Sequence, residues 1–168
     1  MGAPLGIGGV IRLNVGSGDH PVPGWVNVDA WPGCQPDVVA DLRALPFPDR
    51  SAARAFYGHV LEHIPFADVP AVLAEAARVL APGGHLAVVG PDLDGFVIGS
   101  SGWWGALNGA GRWPGDAHQW GGGSGQWLRL VAAAFPNAQI VPVTSLEAEW
   151  PVSLRMDGGQ VAIRARRP

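Results

Sequence analysis

Several small groups of side chains in this sequence have the types and spacing to do chemistry. In "RLNVGSGDHPVPGWVNVDA" (Arg12 to Ala30), Gly16 and Gly18 flank Ser17, and a second apolar run ends at Asp29. Glycines at such a turn let the backbone lie close to a ligand, and turn amides can bind a carboxylate. Alone, a G-x-G is equally consistent with an ordinary strand-to-loop turn. Asp29 favours a site, because a carboxylate ending the second strand can accept hydrogen bonds from both hydroxyls of a ribose. A helix cap or loop aspartate would explain neither its place nor those partners.

Asp41 in "DVVADL" is an acceptor suited to an amino group, or else an N-cap for a turn before "RALPFP". His118 in "GDAHQW" is a candidate base because imidazole titrates near neutral pH; the alternative is a surface or lid-packing histidine. Asp92 is a second candidate base, with a cap or loop role as its alternative. His59, Glu62 and His63 in "HVLEHI" show the His-x-x-Glu-His spacing of an inverted zincin motif. Pro65 would interrupt the long helix that such a motif needs, so no metal site is expected. Local capping or hydrogen bonding is at least as good a reading for Glu62 and His63.

The elements that must position these groups follow from apolar patterning. "GVIRLNV" (9–15), "WVNVD" (25–29), "DVVADL" (37–42), "RAFYGH" (54–59) and "HLAVVGP" (85–91) read as strands, the last nearly continuously apolar as a strand covered on both faces should be. Between the last two, Val69, Val72, Leu73, Ala76 and Leu80 recur on one helical face, with Glu75 and Arg78 on the outer side, Asp68 as N-cap and "APGG" as a stop. "QWLRLVAAAFP" reads as a second helix, and "AQIVPV" and "GQVAIRAR" as two final strands. Alternating strands and helices imply an α/β sheet, whose ligands sit outside the carboxyl ends of the strands near the switch point. The candidate residues all fall at such ends or on the loop after the fifth strand.

That loop, within about residues 93–125, is rich in glycine and tryptophan and reads as a lid. Five of the chain's 8 tryptophans, Trp103, Trp104, Trp113, Trp120 and Trp127, lie in or beside it. They suit stacking on a planar or sugar acceptor, but anchoring to the core or a subunit contact is preferred, with a homodimer through this loop as an expected form.

At 168 residues and 48% hydrophobic content the chain suits one domain, 1–168. A net charge of -3 supplies no global reason to expect a nucleic-acid or anionic-membrane partner. Cys34 is the only cysteine, so no internal disulfide is available. "MGAPLGIGGV" lacks the pattern of a signal peptide, Gly6 stands where a myristoylation signal wants Ser or Thr, and no apolar run approaches membrane-spanning length. A soluble cytoplasmic protein is expected.

The blocks "LNVGSG", "GWVNVD", "DVVADLRALPFPD", "HVLEHI" and "EAARVLAPGGHLAVVGPDLDG", in this order over about Arg12 to Gly95, resemble class I S-adenosylmethionine-dependent methyltransferases, particularly the small bacterial type 11 group. The resemblance implies a Rossmann-like α/β fold, a mostly parallel seven-stranded sheet or a reduced form of it, with helices on both faces. It implies S-adenosyl-L-methionine as cofactor, held by Asn14, Gly16, Ser17, Gly18, Asp29, Asp41, Leu42 and His59. In that reading Asp41 faces the adenine amine, Leu42 flanks the ring and His59 lies beside the methionine portion; His118, Asp92 and His63 are the catalytic candidates. The acceptor is unidentified, with a small molecule or sugar favoured. "SGDHPVPG" departs from the family, being too short and proline-rich for the usual first helix. A non-catalytic S-adenosylmethionine-binding protein remains open, as does a nicotinamide-dependent oxidoreductase, which the missing third glycine disfavours.

Overall fold

The computed structural model of the chain describes residues 10–96, 98–99, 101, 117–146, 150 and 159–168. Seven strands form one sheet: β1 (Ile11–Val15), β2 (Val26–Asp29), β3 (Val38–Val39), β4 (Ala52–Gly58), β5 (Leu80–Pro91), β6 (Gln139–Val141) and β7 (Gln160–Arg166). Their order is β3-β2-β1-β4-β5-β7-β6. The first five pair in parallel, whereas β7 runs antiparallel to both β5 and β6. The expected α/β class, mostly parallel and seven-stranded, is therefore what forms.

Alternation along the strands gives the sheet two apolar faces. On one, Leu13, Val15, Ala55, Tyr57, Leu86, Val88 and Ile163 pack under helices α1 (Val69–Val79) and α2 (Ser124–Ala134). Val69, Val72, Leu73, Ala76 and Val79 of α1 are all fully buried. Burial of each Val or Leu side chain stabilises the fold by about 1.5–3 kcal/mol. On the other face Phe56, Ala87, Val89 and Ala162 are covered by Leu146, Trp150 and Trp25. Both helices with described bounds thus lie on one face, and side chains from connecting segments cover the second.

Local details differ from expectation for identifiable reasons. Asp68 does not cap α1; a 3₁₀ turn at Phe66–Asp68 leads into the helix, and the Asp68 carboxylate accepts from Arg43 Nη1 at 2.8 Å instead. Glu75 and Arg78 do not simply face solvent. Arg78 donates to Glu75 and to the carbonyls of Leu45 and Phe47, and Glu75 accepts from the Leu45 amide at 2.7 Å, so α1 fastens the segment entering β4. Glu75 is correspondingly held below the usual carboxylate range, chiefly by Arg78. "APGG" ends α1, yet these residues already belong to β5, which begins at Leu80 and shifts register before His85.

The β1–β2 connection sets the geometry of the candidate site. Parallel strands usually need a crossover of a dozen or more residues, commonly a helix. Here residues 16–25 cross without one. The connection's backbone polar groups are met by two asparagines that sit side by side in the β1–β2 register, Asn14 and Asn27, both buried. Asn14 Nδ2 donates to the His20 carbonyl at 3.1 Å and to Asn27 Oδ1 at 3.0 Å. Asn27 Oδ1 also accepts the Val22 amide at 2.7 Å, and Asn27 Nδ2 donates to Asp37 Oδ2 at 2.8 Å. Replacing Asn27 by Ala would leave the Val22 amide and one of the two Asn14 Nδ2 hydrogens unpaired. The expected cost is about 2–3 kcal/mol in urea unfolding, whereas a loss under about 0.5 kcal/mol would show that the network does not hold the connection.

Candidate functional site

The chain runs from β1 outward to β2 and β3, then returns to β4 on the other side of β1, so the switch point lies between the carboxyl ends of β1 and β4. Gly16 and Ser17 leave β1 there. Both of their amides donate to the Val28 carbonyl, at 2.8 and 3.1 Å, and the Gly18 amide donates to Asp29 Oδ2 at 2.8 Å. The turn amides are thus bonded within the protein, and what the turn offers is a small left-handed corner. Gly16 has φ 69°, and a Cβ there would clash with Cγ2 of Val60, two residues past the end of β4. Gly18 has φ 51° and open space where its Cβ would stand. Ser17 is buried, and its Oγ has no hydrogen-bond partner among the described residues.

Asp29 ends β2 with both carboxylate oxygens engaged, Oδ2 by Gly18 and Oδ1 by the Trp31 amide at 2.8 Å. Each oxygen keeps a second lone pair, so the half-buried group can still accept from outside. Asn14, by contrast, directs its amide into the polar core under the connection. A cavity of about 550 Å³ opens outside β3, lined by Ala30, Val39, Asp41, Leu42, Arg43 and Ile64 among others. Asp41 forms a bidentate pair with Arg43, whose side chain and backbone amide together hold the carboxyl down at about 2.

Past β4, His59 adopts a left-handed φ of 53° and its amide donates to the Val89 carbonyl at 2.8 Å. Its Nδ1 lies 3.2 Å from Glu62 Oε1. Residues Leu61–His63 form a single 3₁₀ turn, so the long helix that an inverted zincin would need does not form. Glu62 is fully buried, and the rings of His63 and His118 meet edge to face at 4.7 Å. Asp92 sits apart from them. Its Oδ1 accepts the amides of Asp94 at 3.1 Å and Ser124 at 2.9 Å, pinning the end of β5 to the start of α2.

Trp103, Trp104 and Trp113 lie outside the described residues. The other two tryptophans of that group are anchors: Trp127 is fully buried and donates to the Pro91 carbonyl at 2.9 Å, and Trp120 donates to the Leu61 carbonyl at 3.0 Å. The structure thus gathers the Gly16 turn, Asp29 and the His59 region around the switch point, sets Asp41 and Leu42 on the neighbouring cavity, and brings His118 to His63. Val60 was missed as a site-forming residue, and nothing in the sequence marks it. Glu62 was visible in the His-x-x-Glu-His spacing, where local capping or hydrogen bonding was at least as good a reading.

The fold is that of the class I methyltransferases. Within that class, residues 26–88 match the methyltransferase-domain family of type 11, bearing out the likeness expected from the motifs. The matched stretch spans Asp29, Asp41, Leu42, His59 and His63. An S-adenosylmethionine-dependent methyltransferase of Thermotoga maritima, described as a possible histamine N-methyltransferase, is similar with TM-score 0.64 and 19% identity, over 94% of this chain and 82% of that one. Phosphoethanolamine N-methyltransferase 2 of Haemonchus contortus, solved with S-adenosyl-L-methionine, is similar with TM-score 0.65 and 13% identity, over 95% of this chain and 49% of that one. An uncharacterized 37.1 kDa protein in transposon TN4556 of Streptomyces fradiae is 43% identical over 60 residues, 36% of this chain and 17% of that relative's length.

The Gly16 corner separates two kinds of glycine. Gly16→Ala combines a strained φ with a clash against a β-branched side chain and is expected to cost about 3 kcal/mol. Gly18→Ala carries only the backbone penalty of about 1 kcal/mol. Denaturant unfolding of the two variants checks this, and equal losses would contradict the packing of Gly16 on Val60.

Proposed function

We infer that this protein is an S-adenosylmethionine-dependent methyltransferase acting on a small-molecule or sugar acceptor. The observation that carries this reading is the switch point itself, where the left-handed Gly16 corner and the Asp29 carboxylate stand on adjoining strand ends in a chain whose β2–β5 region has the methyltransferase-domain sequence. The residues present fit the cofactor. A Cβ at Gly16 is excluded, Ser17 keeps a buried hydroxyl unpartnered, and Asp29 retains acceptor capacity for two ribose hydroxyls. The cavity beside Asp41 and Leu42 has the volume of a small-ligand pocket and receives the adenine end. His59 borders the methionine end, and Asn14 contributes by holding the connection that carries the turn.

When bound, S-adenosylmethionine supplies a methyl already made electrophilic by its sulfonium. The protein's own task is then to align an acceptor and exclude water. His63 and His118, packed together at the end of β4, are the groups placed to take a proton from an acceptor that arrives protonated. Asp92 serves instead as the pin between β5 and α2. The strand order, with its antiparallel β7, departs from the parallel 3-2-1-4-5-6 order of dinucleotide-binding sheets and argues against a nicotinamide enzyme.

Calorimetric titration with S-adenosylhomocysteine is expected to show saturable binding that Asp29→Ala weakens at least about tenfold, or about 1.4 kcal/mol. Binding of NAD(H) alone would overturn the reading. Firm cofactor binding without transfer of labelled methyl to any metabolite of a cell extract would reduce it to a non-catalytic binding protein.

A further inference from the structure

Pro65 denies His59, Glu62 and His63 a long helix, so the local sequence alone predicts no metal site. The fold supplies what local sequence could not, a histidine from a distant segment. One donor atom each from Glu62, His63 and His118 lies within 4.8 Å of the others. We propose that these three residues form a divalent transition-metal site, taking an ion of zinc-like hardness.

Four observations carry the proposal. Glu62 has no solvent exposure, yet its Oε2 has no hydrogen-bond partner among the described residues, and neither has the buried Nδ1 of His63. A buried carboxylate is costly to leave unpaired, and a cation against its open oxygen removes that cost. The other oxygen is already oriented by His59 Nδ1 at 3.2 Å, the kind of outer contact that fixes a metal-binding carboxylate. The His118 segment is clamped onto the 3₁₀ turn just beyond His118, by the Gln119 amide on the Glu62 carbonyl at 2.7 Å and by Trp120 Nε1 on the Leu61 carbonyl at 3.0 Å.

Two imidazoles and one carboxylate suit zinc and its neighbours better than magnesium or calcium, which prefer oxygen donors throughout. Zinc at ligand distances of about 2.0–2.2 Å requires the three donors to draw together from the span of up to 4.8 Å they show here. Three protein ligands leave a coordination position open to water or to an oxygen or nitrogen donor. The site's existence does not depend on methyl transfer, and with zinc bound His63 and His118 serve as its ligands instead of as the proton acceptors of the proposed function.

The test is calorimetric titration of the full chain, stripped with chelator and free of any S-adenosyl compound, with zinc chloride. Saturable binding of about one ion per chain is expected, with affinity falling at least about tenfold in His118→Ala, His63→Ala and Glu62→Gln. Glu62 lies in the core and its variant can fail to fold. His118→Ala changes only a partly exposed residue, and its metal-free melting temperature, expected at the wild-type value, verifies folding. Zinc should also raise the melting temperature of the wild type but not of His118→Ala. Absence of saturable zinc binding, or binding unchanged in both His118→Ala and His63→Ala, would overturn the proposal.

Discussion

The Asn14–Asn27–Asp37 hydrogen-bond network is the constraint on which the site depends. A helix between the first two strands would satisfy its own backbone, but a short proline-containing connection cannot. Its carbonyls at His20 and Val22 and its amide at Val22 are instead met by asparagine side chains inside the sheet's second face. The connection therefore lies close against β1 and β2, and its first residues have little freedom in leaving the sheet. Gly16, Ser17 and Gly18 are drawn back onto the Val28 carbonyl and the Asp29 carboxylate. The same contacts that end β1 thus orient the acidic group ending β2.

The price of this economy is that the turn amides are consumed. In sites built on a helix N-terminus, free amides and the helix dipole attract anionic groups. Here neither is on offer, and on the proposed function recognition would rest on shape at Gly16, on spare lone pairs of Asp29 and on the cavity beside Leu42. Loop clamps do similar work elsewhere. Arg78 and Glu75 hold the segment entering β4, Asp92 ties β5 to α2, and Trp120 and Trp127 hold the far side of the glycine-rich segment. Polar side chains bonded to backbone recur at each place where regular structure is short.

Much of the sheet was legible because buried parallel strands write themselves as β-branched runs. Ile11–Val15, Val26–Asp29 and Gln160–Arg166 fall within the stretches expected, and α1 follows the spacing of Val69, Val72, Leu73 and Ala76. The seven strands and the switch-point position of Gly16 and Asp29 were likewise readable. Side-chain destinations were not. Asn14, a cofactor contact by the resemblance, has its partner Asn27 thirteen residues away, and the bond between them exists only once β1 and β2 pair in register. Asp68 looked like a cap until Arg43, twenty-five residues earlier, reached it. His118 stands far from His63 in sequence, and the clamp at Gln119 and Trp120 helps bring them together.

On the proposed function, the helix-free connection pinned by buried asparagines would present Gly16 and Asp29 as one nucleoside-binding corner. A crystal structure of the protein with S-adenosylhomocysteine tests it most directly. The account predicts ribose hydroxyls within hydrogen-bond distance of the Asp29 carboxylate, the amino-acid end passing the Gly16 corner, and the Asn14–Asn27 bond intact. A ligand seated away from Asp29, or a connection refolded into a helix upon binding, would contradict it.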